Sequence, residues 1–316
     1  MRSMLRAMHV LALLTTAVTT VSAQPVFRSG VDLVRFGVTV VDDDGNPVAS
    51  LTRDNFVVTE EGREQDIAFF ARGIAGDLET MPLHLGVLFD SSASMNADAD
   101  FAKTAAIRFL RRLDFATDTT LVGFDEQVRV SRFLQVDFPR LVERLRSQET
   151  AGMTALYDAL GVYLDGAFSQ DGHKILLLYT DGGDTRSRIR FNELLDLVRA
   201  SDVTAYVVGF QGQRRTARRM RERLQLEEIA GLTGGQAYFP GSVDELDEIY
   251  AQIRDELENR YSLGYVSTDP TRDGAWRRVT ITPQDTPDNP DRLEIRTREG
   301  YFAPYIEPGS EPSRQW

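Results

Sequence analysis

The chain has 316 residues, of which 42% are hydrophobic and 27% are charged, as is ordinary for a globular protein. This length gives room for one large domain or two modest ones. The formal net charge of −12 argues against nucleic acid or an anionic membrane as the main partner. The sequence contains no cysteine, which excludes disulfides, thiol chemistry and a lipid-modified cysteine.

Residues 1–23 have the pattern of a secretory signal peptide. Arg2 and Arg6 precede a short apolar stretch, and small residues end it at Ala23. The apolar part is too short to span a membrane comfortably, since a span needs about 20 residues. We therefore expect cleavage after Ala23 and a secreted or periplasmic protein without a membrane span.

An alternating pattern of apolar residues follows the leader. A period of two is typical of a half-buried strand, and the apolar positions of the first such strand are Val34, Phe36, Val38 and Val40. Asp44-Gly45 predicts a tight turn, and further strands are predicted over 56–60 and 65–70. Residues 24–75 thus predict an antiparallel β module with too few strands to bury a face alone.

Residues 81–258 alternate between strand and helix patterns, which is typical of a doubly wound, mostly parallel sheet with helices on both faces. Strands are predicted over 83–89, 119–124, 128–133, 174–180 and 203–210, with 128–133 at an edge. Helices are predicted over 101–113, 155–168 and 243–257. Ser242 and Glu245 form a capping box at the start of the last helix.

After Asn259 the period of two returns, with apolar residues at Tyr261, Leu263, Tyr265, Val279, Ile281, Leu293 and Ile295. We infer that residues 24–75 and 259–305 form one β-sandwich, with the α/β domain inserted between them. The alternative is two separate small β units, but each would leave strands without partners. Residues 306–316 predict a disordered tail.

The first buried strand of the α/β domain ends in a cluster of oxygen donors. Its apolar run stops at Asp90, and two hydroxyls follow at Ser92 and Ser94. Ligands of open α/β sheets bind where strands end at their carboxyl edge. Hard oxygen donors suit Mg²⁺, Ca²⁺ or Mn²⁺ rather than zinc. The alternative is that the two serines cap the next helix.

Two distant segments favour the cation site. Thr154 stands between Gly152-Met153 and a predicted helix, and Asp181 directly follows the buried strand 174–180. Each segment would bring an oxygen donor to the same edge of the sheet as Asp90. Such convergence of three segments is hard to obtain by accident.

These residues resemble the metal-ion-dependent adhesion site of von Willebrand factor type A domains. The motif D-x-S-x-S lies at Asp90, Ser92 and Ser94, followed by Thr154 and Asp181. The flanking segments 38–48, 51–57 and 300–303 are similar to secreted bacterial von Willebrand type A-related proteins described from acidobacteria.

The resemblance implies roles for these positions. The two serines and Thr154 would contact the metal, and Asp90 and Asp181 would bind it directly or through water. One coordination position would remain open for an acidic group of a partner. We therefore expect an exported protein-binding module that presents Mg²⁺, Mn²⁺ or Ca²⁺ to an exposed Asp or Glu of another protein.

Two other functional classes stay open. A metal-dependent hydrolase would need a base for a metal-activated water, and the candidates are Asp125, Glu126, Asp158 and Asp184. His84 and His173 fit no triad spacing, so we do not expect an enzyme. In the third class, the cation only stabilises the loops.

The segment Gln211–Arg223 carries six arginines in an otherwise acidic chain. It could dock an acidic partner or a phosphate group. The alternative is a solvated helix face balanced by nearby glutamates, and charge runs are usually of this kind. The sequence leaves the identity of the partner, the metal and the oligomeric state open.

Overall fold

The structure is a computed structural model that describes residues 33–74, 81–113, 115–210, 216–284 and 292–306. The predicted signal peptide, all but the first residue of the predicted tail, and Arg214 and Arg215 lie outside the described residues. Among the helices that the structure describes, none is long and apolar enough to cross a membrane.

The described chain consists of strands and helices that we number in chain order. The strands are β1 (Leu33–Val41), β2 (Phe56–Glu60), β3 (Arg63–Gln65), β4 (Ile67–Arg72), β5 (Leu83–Asp90), β6 (Asp118–Phe124), β7 (Val128–Leu134), β8 (His173–Thr180), β9 (Thr204–Gly209), β10 (Gln236–Tyr238), β11 (Tyr261–Val266), β12 (Trp276–Pro283), β13 (Glu294–Arg296) and β14 (Gly300–Phe302). The α-helices are α1 (Ala99–Leu110), α2 (Phe138–Arg146), α3 (Leu156–Phe168), α4 (Phe191–Ala200), α5 (Ala217–Leu232) and α6 (Val243–Asn259).

A six-stranded sheet in the order β10-β9-β8-β5-β6-β7 forms the α/β domain. Its neighbouring strands are parallel except for β6 and β7, so the predicted edge strand lies at the edge and runs antiparallel. Every residue of β5 and β9 is buried. A continuous apolar run is the pattern of a parallel strand with both faces covered.

Helices cover both faces of this sheet. On one face α1, α2 and α6 supply buried side chains such as Phe109, Leu145 and Tyr250. On the other face α3, α4 and α5 supply Leu160, Leu194, Leu226 and others. The predicted doubly wound α/β architecture is therefore confirmed.

The β segments before and after the α/β domain intermix in two four-stranded sheets, β13-β1-β11-β4 and β14-β12-β2-β3. In the first sheet β1 pairs with β11, and in the second β2 pairs with β12, in both cases antiparallel. One hydrophobic core lies between them, with Phe36, Val58, Leu263 and Ile281 among its buried residues. The predicted β-sandwich is confirmed, and the numerical domain limits stay predictions.

The prediction of one strand over 65–70 is wrong. The chain forms two strands on either side of Asp66: β3 pairs with β2, whereas β4 pairs with β11 of the other sheet. Gln65 is buried where the chain passes from one sheet to the other. Its side chain donates to the Thr268 hydroxyl and accepts from the Thr268 amide, both at 2.9 Å. Alternation of apolar residues does not reveal to which sheet a strand belongs.

A buried carboxylate links the two sheets of the sandwich. Glu60, at the end of β2, is 2% exposed. It accepts hydrogen bonds from the hydroxyls of Tyr265 (2.7 Å), Tyr301 (2.9 Å) and Ser267 (2.6 Å). Since Tyr265 lies on the opposite sheet, this network fixes how the sheets are aligned, and a buried network that is well satisfied favours one packing.

Replacing Glu60 by Ala should destabilise the protein strongly, because the substitution removes the acceptor of three hydroxyls, of which that of Tyr265 is buried, and opens a cavity. We expect a loss of about 3–5 kcal/mol in the free energy of unfolding, measured by urea denaturation. The control is Glu64→Ala on β3, where the side chain is exposed and the change should stay within about 0.5 kcal/mol. Equal losses in the two variants would contradict a central role for Glu60.

Candidate metal site

Asp90 ends β5, one of the two central strands of the six-stranded sheet. Its side chain is completely buried. Beyond it the chain stays bonded to the neighbouring strand, because Ser91 donates from both its amide (2.7 Å) and its hydroxyl (3.0 Å) to the carbonyl of Phe124 at the end of β6. The first loop of the site is thus fixed to the carboxyl edge of the sheet.

Both carboxylate oxygens of Asp90 are held in place. The Ser92 amide donates to Oδ1 at 2.9 Å, and the Thr180 hydroxyl donates to Oδ2 at 2.6 Å. The hydroxyl oxygens of Ser92 and Ser94 lie 3.0 Å apart. Ser92 is buried, whereas Ser94 is exposed, so this pair leads from the interior to the surface.

The alternative that the serines cap the next helix is wrong. The helix α1 begins only at Ala99, and its N-cap is Asp98. Ser92 precedes a short 3₁₀ turn over Ala93–Ala97, but its side chain makes no capping hydrogen bond. The two hydroxyls are therefore not explained by helix capping.

The loop that carries Thr154 is bonded to the Asp90 loop through its backbone. The Ala151 amide donates to the Ser91 carbonyl (2.9 Å), and the Ala93 amide donates to the Gly152 carbonyl (3.1 Å). Gly152 has a positive φ of 71°, a conformation that glycine adopts without strain. Thr154 follows within two residues and is 3% exposed.

The loop that carries Asp181 is bonded to the Thr154 loop in turn. The amides of Thr185 and Arg186 donate to the Thr154 carbonyl at 2.9 and 3.0 Å. The Thr154 amide donates back to the Thr185 hydroxyl at 3.0 Å. The structure thus brings together the three segments that carry Asp90, Ser92, Ser94, Thr154 and Asp181, while the role of these residues as metal ligands stays a prediction.

The site places one carboxylate in an unfavourable environment. Burial, and in smaller part the nearby charge of Asp181, raise the pKa of Asp90 to about 6, against the lowering effect of hydrogen bonds from Ser92 and Thr180. An opposite charge close by favours the ionised form of a carboxyl group. A cation in this site would supply that charge.

The donor set fits a hard divalent cation. Two carboxylates and three hydroxyls offer only oxygen, as Mg²⁺, Mn²⁺ and Ca²⁺ require. The hydroxyl oxygens of Ser92 and Ser94 lie side by side at 3.0 Å, within hydrogen-bond distance of each other. Among the described residues, no group of three or more His, Cys, Asp or Glu side chains could hold a metal, so hydroxyl donors are essential to any such site.

The candidate bases around the site are engaged in local structure. Asp158 accepts from the amides of Arg188 and Ile189, and Asp184 accepts from the Tyr157 amide and the Ser187 hydroxyl. Asp125 accepts from the Gln127 amide and from Arg129, and Glu126 accepts from the Met153 amide. These contacts shape the loops that surround the predicted ligands.

His84 lies at the opposite end of β5 from Asp90, since it is the second residue of that strand and Asp90 is the last. Its ring nitrogens lie 2.9 Å from the Asp118 carboxylate and 2.9 Å from the Asp171 carbonyl. These contacts join three segments of the chain and give His84 a structural role.

Sequence reasoning missed the contribution of Thr180. Its hydroxyl donates to Asp90 and accepts from the Gly182 amide at 3.1 Å, so it holds the strand ends of β5 and β8 together. The sequence feature that could have indicated this role is that Thr180 is a polar residue at the end of an apolar strand, directly before Asp181. The sequence alone does not show that β8 lies next to β5.

Neither a family model nor a curated protein matches the sequence. Among solved structures, a von Willebrand factor type A protein from Catenulispora acidiphila is 16% identical with a TM-score of 0.46, over 89% of this chain and 76% of that chain. The von Willebrand factor domain of the type V pili tip protein Mfa5 from Porphyromonas gingivalis is 11% identical with a TM-score of 0.45, over 57% of this chain and 97% of that chain.

A mutant of the PilB minor pilin from Streptococcus sanguinis is 14% identical with a TM-score of 0.46, over 57% of this chain and 62% of that chain. This chain therefore spans less than two thirds of the pilin's solved length. At such identities and TM-scores the similarities carry no argument about function. The fold rests on the strand order described above, and membership of the von Willebrand factor type A family stays a prediction.

Proposed function

We propose that this protein is an exported binding module that holds a divalent cation, Mg²⁺ or else Mn²⁺ or Ca²⁺, and presents it to an acidic group of a partner protein. One observation carries the proposal: three loops at the carboxyl edge of one sheet are hydrogen-bonded to each other around the buried Asp90. The signal-peptide pattern of residues 1–23 supports export.

The residues that would hold the cation are Asp90, Ser92, Ser94, Thr154 and Asp181. They supply five oxygen donors, so a six-coordinate ion keeps one position for an outside ligand. Three of the five donors are neutral hydroxyls, and the ion therefore retains affinity for an anionic oxygen. When bound, the cation would act as the electrophile that an Asp or Glu of the partner contacts.

Binding accounts for the site better than hydrolysis. A hydrolytic site needs a carboxylate or imidazole placed to accept a proton from water. The nearby carboxylates of Asp125, Glu126, Asp158 and Asp184 instead hold backbone amides of the surrounding loops. These contacts favour loops that are held rigidly around a bound ion over a site that activates water.

Replacing Asp90 or Asp181 by Ala should abolish cation binding, because each variant removes one of the two anionic donors. We expect isothermal titration with MnCl₂ to give one site in the unaltered protein and at least about a hundredfold weaker binding in either variant. Asp100→Ala on α1 is the control, since that side chain is exposed and lies outside the site. Equal affinity in Asp90→Ala and Asp100→Ala would reject the metal site.

Replacing Thr180 by Val should weaken cation binding less severely. Val has nearly the shape of Thr but cannot donate to Asp90, so the carboxylate loses an orienting contact. Partners of this kind typically change metal affinity by about ten- to a hundredfold. The same titration measures the effect, and Thr104→Val on α1, where the hydroxyl only bonds to a backbone carbonyl in its own helix, is the control. An unchanged affinity would show that Thr180 is not needed.

Partner binding should require the cation. Immobilised protein with MnCl₂ should retain surface proteins of the native organism, whereas EDTA or Asp90→Ala should release them. Unchanged retention in EDTA would favour a cation that only stabilises the loops. Turnover of a substrate that fails in Asp90→Ala, without any retained protein, would favour the hydrolase.

A further inference from the structure

The loop that follows Asp181 is basic although the chain as a whole carries a net charge of −12. It contains Arg186, Arg188 and Arg190, and all three residues are exposed. The backbone of Arg186 is bonded to Thr154, and that of Arg188 to the Asp158 carboxylate. The basic loop is therefore fixed beside the candidate metal site.

A further arginine comes from the helix α5. A side-chain carbon added at Gly183 would lie 3.3 Å from Oε1 of Glu222 and 3.4 Å from Nη2 of Arg218, so this ion pair lies over the turn that starts at Asp181. The Gly183 amide faces Asp181 Oδ1 at 3.4 Å. The pKa of Arg218 is raised, first by its hydrogen bond to Glu222 and in smaller part by the charge of Asp181.

Two neighbouring arginines of α5 differ in what they contact. Arg218 donates from Nε to Glu222 at 2.7 Å, and its side chain is 70% exposed. Arg223 donates to Glu227 at 2.9 Å and also packs on the ring of Phe239, 4.1 Å from its centroid. The solvated-face interpretation describes the Glu pairing of both residues. Arg218 differs from Arg223 in that its pair with Glu222 lies against the turn after Asp181, where its terminal nitrogens face the candidate site.

We propose that Arg218 is a specificity residue of the binding site, which selects partner segments that carry two carboxylates close together. This inference rests on the proposed function, because the first carboxylate is the one that meets the cation. The second carboxylate then meets the terminal nitrogens of Arg218 across the Asp181 turn. A guanidinium suits this role, since it offers several donors in a rigid fork, and its pairing with Glu222 uses Nε.

The experiment compares two labelled Gly/Ser peptides by fluorescence anisotropy with MnCl₂ at 0.15 M ionic strength. One peptide carries a single Glu and the other carries two adjacent Glu residues. We expect the unaltered protein to bind the second peptide about three- to fivefold more tightly, as exposed ion pairs allow. In Arg218→Glu that preference should be lost or reversed. The preference of the unaltered protein should also shrink as salt rises.

The control is Arg199→Glu, which makes the same change in net charge. Arg199 lies at the end of α4 that leads into β9, and therefore at the opposite edge of the sheet, where it pairs with Asp196. This variant should keep the preference for two carboxylates. Titration with MnCl₂ checks that Arg218→Glu still binds the cation.

The outcomes separate the two proposals. Equal binding of both peptides to the unaltered protein, or loss of the preference in Arg199→Glu as well, would overturn the role of Arg218 and leave the metal site standing. A preference that survives in Arg218→Glu would overturn it too. Binding that ignores EDTA, or no binding of either peptide, would overturn the proposed function together with this inference.

Discussion

The hydrogen bond from Thr180 to Asp90 holds the candidate site together. The parallel register of β5 and β8 pairs Phe89 with Tyr179, and the next residue of each strand is Asp90 and Thr180. Their side chains meet at 2.6 Å in the buried edge of the sheet. A hydroxyl that donates to a charged carboxylate makes a strong bond, so the loops after both strands start from fixed points. The Thr154 loop then connects the Asp90 loop to the Asp181 loop, because its backbone is hydrogen-bonded to both.

A second network joins the α/β domain to the sandwich. The helix α6 ends at Asn259 and β11 begins at Tyr261, with Arg260 between them. The carboxylate of Glu256 on α6 accepts from Arg296 on β13 at 2.8 Å and from Tyr206 on β9 at 3.3 Å. This carboxylate is 1% exposed, and breaking a buried pair is costly because it leaves an uncompensated charge. The six-stranded sheet and the sandwich are thus connected by an ionic contact as well as by the chain.

Much of this arrangement could be predicted from the sequence, because strand and helix periods and the oxygen donors at strand ends are local patterns. The fold class and the convergence of the Asp90, Thr154 and Asp181 segments follow from such patterns. The rest depends on which distant elements become neighbours. The break at Asp66 reflects a change of sheet, and the role of Thr180 depends on β8 lying beside β5. The position of Arg218 depends on how α5 packs against the loop after β8.

Charge balance explains why an arginine beside the proposed cation would matter in an acidic protein. A divalent cation held by Asp90 and Asp181 has no formal excess charge, so it attracts a second carboxylate weakly once the first is bound. At physiological ionic strength the screening length is about 8 Å. Acidic residues elsewhere on a chain of net charge −12 are therefore largely screened, whereas Arg218 would act at contact distance. On the proposed function, the charges close to the Asp181 turn, with Arg218 and its partner Glu222 among them, would decide which acidic segments bind, rather than the total charge.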